Sequence, residues 1–362
     1  MYFEVKDVVG NVSEISNLEV IGSYSIDCDR RYCNDLSQLK YYKEPPDITN
    51  VNINLNRGEA IVECQNNCKL DYILRWMSNH FDLLKVEDAD NSRQWLQPEV
   101  VCSRGVLKQL FLTPFERSEG WIICASKFKG TIYLCSFDTP QRIINKLNQS
   151  DYARASTSWG YKFEQHMLSD VANSDPNIDT LLNENGEFCC VFKAQFDSTI
   201  LLYTAEIDGV ISHENIKDTV AGKKLTFVEL KTIHAKEFKH GKVKTFIKIL
   251  RWWCQCYLVG IQEIICGCKD YNGIVREIKK VKLNEYHRIK SSEERCQNFA
   301  SKFLVHIKEI VCAEHDKCLY KFTYCPRTNR IQVQNMKPDP ESTYAFLPTW
   351  YTKKANDHST NL

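Results

Sequence analysis

Two short acidic segments contain the residues of this sequence best suited to chemistry, Glu206-Ile207-Asp208 and Glu229-Leu230-Lys231. Each follows an apolar run, Ile200–Tyr203 before the first and Leu225–Val228 before the second, and such runs predict β-strands. Because side chains two apart on a strand share a face, each segment directs its two charged groups to one side. Three carboxylates crowded together repel one another unless a divalent cation lies between them. The pattern favours a metal-dependent site for phosphodiester cleavage over its alternative, a solvated strand face with alternating charges.

Four other polar residues indicate a function only when they are considered together, because each alone is an ordinary surface or helix residue. Glu164 lies in a predicted helix that starts near Gly160, and Arg104 precedes an apolar run. Arg30 belongs to a small basic pair beside an aromatic residue, which suggests a phosphate contact. Gln255 lies on a polar and aromatic stripe of another predicted helix, which fits a groove wall or a core tryptophan beside solvated polar groups.

The elements that position these residues form a mixed α/β pattern. The sequence predicts a β-hairpin over Gly120–Phe137 and helices over Asp71–Phe81, from Gly160 onward, over Val243–Leu258 and near Cys296–Cys312. Further strands are predicted over Phe188–Phe192, Thr199–Asp208, Leu225–Thr232, Glu263–Cys268 and Lys317–Tyr324. Helices and strands alternate without a break, so we expect one α/β domain over residues 1–352 and a loose polar tail over residues 353–362.

Composition narrows the classes of protein to consider. The chain has 362 residues, 43% of them hydrophobic, and a net charge of +1, so any polyanion must be bound by a local groove rather than by a basic coat. No secretory signal or membrane-length apolar run is visible, and we expect a soluble intracellular protein with no membrane partner. No GxSxG, Walker A, Rossmann or HExxH motif is present, which disfavours triad hydrolases, P-loop NTPases and dehydrogenases.

Seventeen cysteines permit two interpretations. The spacings Cys64…Cys68, Cys254-x-Cys256 and Cys266-x-Cys268 could contribute to a zinc site, but none forms a paired CxxC array. In a reducing compartment most cysteines are small buried apolar residues. We therefore predict free thiols in the core rather than structural zinc.

Taken together, several ordered motifs resemble the decapping exoribonuclease (DXO) family, which includes the fungal partners of the nuclear 5′→3′ exoribonuclease. The matching core residues are Arg104, Gly160–Glu164, Glu206-Ile207-Asp208, Glu229-Leu230-Lys231, and Lys248 with Trp252–Gln255. Supporting stretches are Asp29–Cys33, Leu112–Arg117 and Tyr344–Tyr351. The resemblance extends from about Ile21 to Tyr351, nearly the whole chain.

The resemblance implies a fold of two β-sheets flanked by helices around a nuclease-type Glu-x-Lys core. It implies that two Mg²⁺ or Mn²⁺ ions are held by Glu164, Glu206, Asp208, Glu229 and the main-chain carbonyl of Leu230. It also implies that Glu206, Lys231 and Gln255 contact the substrate, with Lys231 and Gln255 at the scissile phosphate or the attacking water. The RNA backbone would be bound by Arg30, Arg104 and the Cys189 region.

The function implied is hydrolysis at RNA 5′ ends, which removes incomplete guanosine caps, NAD-type caps or triphosphate and in many members continues 5′→3′. RNA 5′ ends are then the partners, no obligatory protein partner is evident, and the resemblance implies a nuclear location. Two positions depart from the family pattern, because Ile211 replaces a third acidic residue and Cys68 replaces a substrate-contacting glutamate. The alternatives are a catalytically inactive RNA-end-binding scaffold of the same family and a DNA nuclease built on the same strand plan.

Overall fold

The structure is a computed structural model that describes residues 1–5, 12–56, 60–61, 68–86, 94–239, 242–243, 245–286 and 289–360. Within these residues the helices are α1 Asp71–Ser78, α2 Phe81–Leu84, α3 Arg104–Leu112, α4 Pro140–Leu147, α5 Asp151–Met167, α6 Phe246–Tyr257, α7 Lys290–Ile310 and α8 Thr349–Thr360. None of these helices is both long enough and apolar enough to cross a bilayer.

The larger sheet has ten strands in the order β1-β21-β20-β8-β9-β7-β13-β12-β2-β3. Its strands are β1 Tyr2–Glu4, β2 Ile15–Ile26, β3 Tyr32–Cys33, β7 Val100–Ser103, β8 Trp121–Phe128, β9 Thr131–Phe137, β12 Glu187–Phe196, β13 Thr199–Glu206, β20 Leu319–Cys325 and β21 Arg330–Met336. Most pairs are antiparallel, but the short strand β7 runs parallel to both β13 and β9. The predicted hairpin is confirmed as β8 and β9, which turn at Lys129 and Gly130, both with positive φ.

The smaller sheet has seven strands in the order β10-β4-β14-β15-β18-β19-β5. Its strands are β4 Tyr41–Tyr42, β5 Ile53–Asn54, β10 Leu168–Ser169, β14 Gly209–Ile211, β15 Thr226–His234, β18 Glu263–Lys269 and β19 Ile274–Lys282. Two further pairs of short strands lie outside both sheets, β6 Ala60–Ile61 with β11 Leu182–Asn183 and β16 Phe238–Lys239 with β17 Lys242–Val243.

The chain passes from one sheet to the other at Ile207 and Asp208. Strand β13 of the larger sheet ends at Glu206, and β14 of the smaller sheet begins at Gly209 and pairs with β15. Ile207 is 2% exposed and belongs to the main apolar core, which anchors this crossing. The two acidic motifs therefore meet where the sheets join.

The predicted mixed α/β class with two sheets flanked by helices is confirmed, while two local predictions are wrong. The helix that contains Glu164 begins at Asp151 rather than near Gly160, because the Ser150 hydroxyl caps it by accepting from the Ala153 amide. The segment from residue 353 to residue 360 is not loose, because α8 runs to Thr360. Ala355 of this helix is completely buried in an apolar cluster separate from the main core.

The cysteines follow the core prediction where the structure describes them. Ten are buried free thiols, at positions 102, 124, 135, 189, 190, 254, 256, 266, 268 and 296. They lie in strands and helices packed into the apolar clusters, as small apolar side chains do. Cys64 lies outside the described residues.

Candidate active site

A hydrogen bond to a side chain, rather than backbone pairing between adjacent strands, joins the two acidic motifs. Asp208 lies just beyond β13, outside the predicted strand, and its Oδ2 accepts a hydrogen bond of 2.7 Å from the Leu230 amide. Glu206, at the end of β13, lies opposite Cys189 of β12. Strand β15 carries Glu229 to the same place. The sequence prediction that the motifs form one patch is confirmed, by way of the crossing between the sheets.

Glu229 is the buried anion at the centre of this patch. Its side chain is 1% exposed, and its Oε1 accepts hydrogen bonds from the Lys231 ammonium and the Gln255 amide. Its Oε2 lies 3.7 Å from Arg104 Nη1, and neither of these buried atoms has a hydrogen-bond partner among the described residues. Burial opposes ionisation, but Lys231 and Arg104 outweigh it and hold the pKa of Glu229 below its ordinary value.

The other three carboxyl groups show the opposite shift. Burial and then the charge of Asp208 raise the pKa of Glu164, while burial and then Glu229 raise the pKa of Asp208 to about 6. Burial and neighbouring carboxylates also raise the pKa of Glu206. Glu206 is exposed to a cleft, where water screens part of this effect. These carboxylates repel one another, and the positive charge around them is too small to balance their negative charge.

Lys231 supplies part of that charge and remains cationic. Burial alone favours the neutral amine, but Glu229, Asp208 and Glu164 together raise the pKa of Lys231 well above its ordinary value. Its ammonium therefore stays positive at neutral pH, and it interacts with Glu229, Asp208 and Glu164. A fixed positive charge at this position can stabilise a phosphate that gains negative charge during a reaction.

The donor set fits hard divalent cations. Every candidate ligand is an oxygen, and three of the carboxyl groups repel one another. Glu229 also keeps one buried oxygen that has no hydrogen-bond partner in the part of the chain that the structure describes. Within the described residues, no three Asp, Glu, His or Cys side chains converge on one point at ligand distances. The Asp208 and Glu229 oxygens instead face the Leu230 amide, Lys231 and Gln255. Cation binding would exchange these contacts for metal–oxygen bonds.

A cleft of about 250 Å³ opens on one side of the patch and is lined by four of the six predicted substrate-binding residues, without Lys231 and Gln255. Arg30, Arg104, Cys189 and Glu206 all line it. Arg30 donates to the Asn185 carbonyl at 3.0 Å and forms an ion pair with Glu187.

The Cys189 thiol is a neutral wall of this cleft, because burial and then Glu187 raise its pKa well above the ordinary value. Sequence reasoning missed Glu187, although it shares a strand face with Cys189 two residues later.

A second cleft of about 250 Å³ opens on the other side and shares Glu187 and Glu206 with the first. Glu164 and Asp208 line it together with Lys40 and Tyr161, two residues that sequence reasoning did not assign. Tyr161 could have been found, because it lies three residues before Glu164 on α5 and shares its face. The carboxylate patch therefore lies where two clefts meet.

The structure shows the surroundings of three other positions that the sequence analysis named. Lys248 does not join the patch, because its ammonium donates to Glu237 at 2.6 Å. Ile211 is 46% exposed at the end of β14. Cys68 lines the first cleft beside the hydroxyl of Tyr72, which itself donates to the Arg30 carbonyl at 2.7 Å.

Known proteins resemble this chain in sequence and in fold over nearly its whole length. The profile of the "RAI1 like PD-(D/E)XK nuclease" family matches residues 17–352. The human Decapping and exoribonuclease protein is 31% identical over 354 residues, which cover 92% of this chain and 84% of the human protein. The Drosophila melanogaster Decapping and exoribonuclease protein Rai1 is 29% identical and covers 93% of this chain and 91% of its own.

Solved structures agree in fold. Candida albicans Rai1 in complex with pU5–Mn²⁺ superposes with a TM-score of 0.79 at 17% identity and covers 99% of both chains. Scheffersomyces stipitis Rai1 in complex with (3′-NADP)⁺ and calcium has a TM-score of 0.76 at 15% identity and covers 99% of this chain and 100% of its own. The sequence matches and the shared fold lead to one conclusion: the chain belongs to the RAI1-like PD-(D/E)XK nuclease family and is a hydrolase of the nuclease class.

Proposed function

We propose that the protein is a metal-dependent hydrolase of RNA 5′ ends. The observation that carries this proposal is the carboxylate patch of Glu164, Glu206, Asp208 and Glu229, with Lys231 beside it, at the meeting point of two clefts. Such a position lets a polynucleotide enter from one side and present a phosphate to the patch. The relatives named above as decapping and exoribonuclease proteins support the choice of RNA.

Two Mg²⁺ or Mn²⁺ ions are the proposed cofactors. Glu164, Glu206, Asp208, Glu229 and the Leu230 carbonyl would hold them, since hard divalent cations prefer oxygen ligands. Bound there, such a pair supplies an activated water and stabilises the leaving oxygen of an in-line displacement. Manganese and calcium in the related structures support a divalent cation.

The chain's own polar groups have distinct proposed roles around this centre. Lys231 neutralises charge that develops on the scissile phosphate, and Gln255 orients that phosphate or the attacking water through its amide. Without bound metal, both side chains donate to Glu229 Oε1, so they lie at the patch before any cation binds. Arg104 and Arg30 bind phosphates in the first cleft, and Cys189 shapes its wall.

The proposed substrates are RNAs with an unmethylated guanosine cap, an NAD-type cap or a 5′ triphosphate, followed by 5′→3′ degradation. Relatives solved with pU5 and with (3′-NADP)⁺ support this range. The proposed setting is RNA 5′-end quality control in the nucleus. An inactive scaffold is disfavoured, because every proposed metal-binding and catalytic position keeps a residue capable of its role.

A panel of RNAs labelled at the 5′ end tests this function. The three 5′ ends are incubated with the protein in Mn²⁺ or in EDTA, and the released products are separated and identified. We expect release of a 5′-terminal product from at least one RNA in Mn²⁺ and none in EDTA.

The matched control is Asp175→Asn, which removes a carboxylate that is 93% exposed, and it should act like the unmodified protein. Absence of metal-dependent release from every RNA would reject the proposed function.

A further inference from the structure

A third and larger cleft, of about 750 Å³, begins where the first cleft ends. The two clefts share Ser103 and Gly105, which flank the start of α3, so they meet around the beginning of this helix. Residues of α3, α4 and α6 line the third cleft, among them Lys108, Arg142 and Arg251. Nothing in the proposed chemistry uses this space.

Lys108 is a cation of this cleft for which the described residues provide no ion-pair partner. It lies one helical turn after Arg104 on α3, and no carboxylate in the described part of the chain forms an ion pair with its ammonium. Burial and then the Arg104 charge lower the pKa of Lys108, and the charge of Lys231 acts in the same direction. The α3 face nearest the patch therefore carries positive charge that the protein leaves uncompensated.

The other charges of the cleft are already paired or hydrogen-bonded. Arg142 and Lys146 both pair with Asp138, and Arg251 lies 3.7 Å from Glu116. Glu116 accepts from the Ser118 amide and hydroxyl, and Glu119 accepts from the Asn145 side chain at 2.7 Å. Lys108 thus provides the free charge, and a partly buried cation is stabilised by a bound anion.

We propose that the third cleft binds the backbone of single-stranded RNA beyond the reacting nucleotide, with Lys108 as a phosphate ligand. The inference rests on the proposed function. Arg104 and Lys108 lie one turn apart on one helix face, so neighbouring phosphates of an extended strand can follow them from the first cleft into the third. Arg104 Nη1 lies 3.7 Å from Glu229 Oε2, and Lys108 follows Arg104 by one turn of the same helix, which places a phosphate bound by Lys108 near the patch.

The test measures binding separately from hydrolysis. Fluorescence anisotropy in EDTA gives dissociation constants for a dinucleotide and for an RNA of roughly 20 nucleotides, longer than many single-strand sites. For the Lys108→Gln variant we expect about three- to tenfold weaker binding of the long RNA, a salt slope smaller by about one, and unchanged dinucleotide binding. Lys108→Arg keeps the charge and should restore the affinity.

The control is Lys317→Gln, because Lys317 is 74% exposed and lines none of these clefts. Unchanged long-RNA binding by Lys108→Gln would overturn the proposal, as would an equal loss for both RNA lengths, since that result assigns Lys108 to support of the patch. A protein that binds the long RNA through Lys108 but hydrolyses no 5′ end in Mn²⁺ would instead reject the proposed function alone.

Discussion

Removal of the buried charge at Glu229 should destabilise the metal-free protein, although removal of a neighbouring carboxylate should not. In Glu229→Gln the side chain keeps its size, but Lys231 and Arg104 lose the anion that they share. In Glu206→Gln the lost charge is one that repels its neighbours, as the raised pKa of Glu206 shows. The same chemical change should therefore have opposite effects at two positions of one patch.

The magnitude follows from burial. Breaking a buried ion pair by removing one partner typically costs roughly 3–5 kcal/mol. Lys231 keeps the charges of Asp208 and Glu164 nearby and is 26% exposed, so we expect about 2–3 kcal/mol for Glu229→Gln. A chain of this length changes its melting temperature by about 2 °C per kcal/mol, which gives a decrease of about 4–6 °C.

Thermal unfolding in EDTA at neutral pH, followed by intrinsic fluorescence, is the assay. Glu229→Gln should melt below the unmodified protein, while Glu206→Gln should melt at the same temperature or above it. Equal decreases for the two variants would refute the reasoning, because they would show that both carboxylates are paired to the same extent. Calorimetry on Glu229→Gln should also show weakened Mn²⁺ binding, and unchanged affinity would remove Glu229 from the ligand set.

Three further predictions concern the first cleft, pH and helix packing. Glu187→Gln removes the ion-pair partner of Arg30, so Arg30 becomes available for phosphate, and KM for RNA should fall severalfold while kcat stays unchanged. The control variant Glu184→Gln should leave KM unaltered, and an equal KM in both variants would contradict this prediction. Burial and then the charge of Glu229 raise the pKa of Asp208 to about 6, so the folded metal-free protein binds more protons than the unfolded chain between about pH 4.5 and about 6. Its melting temperature in EDTA should therefore fall across that range relative to the protein in Mn²⁺, and parallel curves would argue against this shift. Gly267→Ala places a Cβ 2.7 Å from the ring of Phe163, on the helix that carries Glu164, so it should cost about 1–3 kcal/mol and reduce turnover. A neutral effect in melting and turnover assays would refute the packing.

Local patterns were sufficient to predict much of the fold. Short apolar runs located β13, β15, β18 and β20 to within two residues at each end, and they located the start of β12, because strand identity depends mainly on neighbouring side chains. The cap residue Ser150 and the apolar pair Tyr351 and Ala355, four apart, were local signals for the true start of α5 and for α8. These two errors came from giving polar composition more weight than caps and spacing.

Long-range contacts could not be read from local patterns. The Arg30–Glu187 pair joins residues 157 positions apart, and the sequence contains no periodicity that relates them. Nor does the sequence reveal that Asp208 lies at a crossing between two sheets, where its side chain bonds the Leu230 amide. The resemblance to a family supplied Glu164, Gln255 and Arg104 as candidates, and the structure brings Gln255 and Arg104 to Glu229.

The most direct test of the account is Mn²⁺-dependent product release from 5′-labelled RNA by the Glu206→Ala, Asp208→Ala double variant. If these carboxylates hold the catalytic ions, product release should be lost while circular dichroism and RNA binding remain close to those of the unmodified protein, because phosphate contacts supply much of the affinity. Release at an undiminished rate by a correctly folded double variant would contradict the metal-dependent mechanism at this patch.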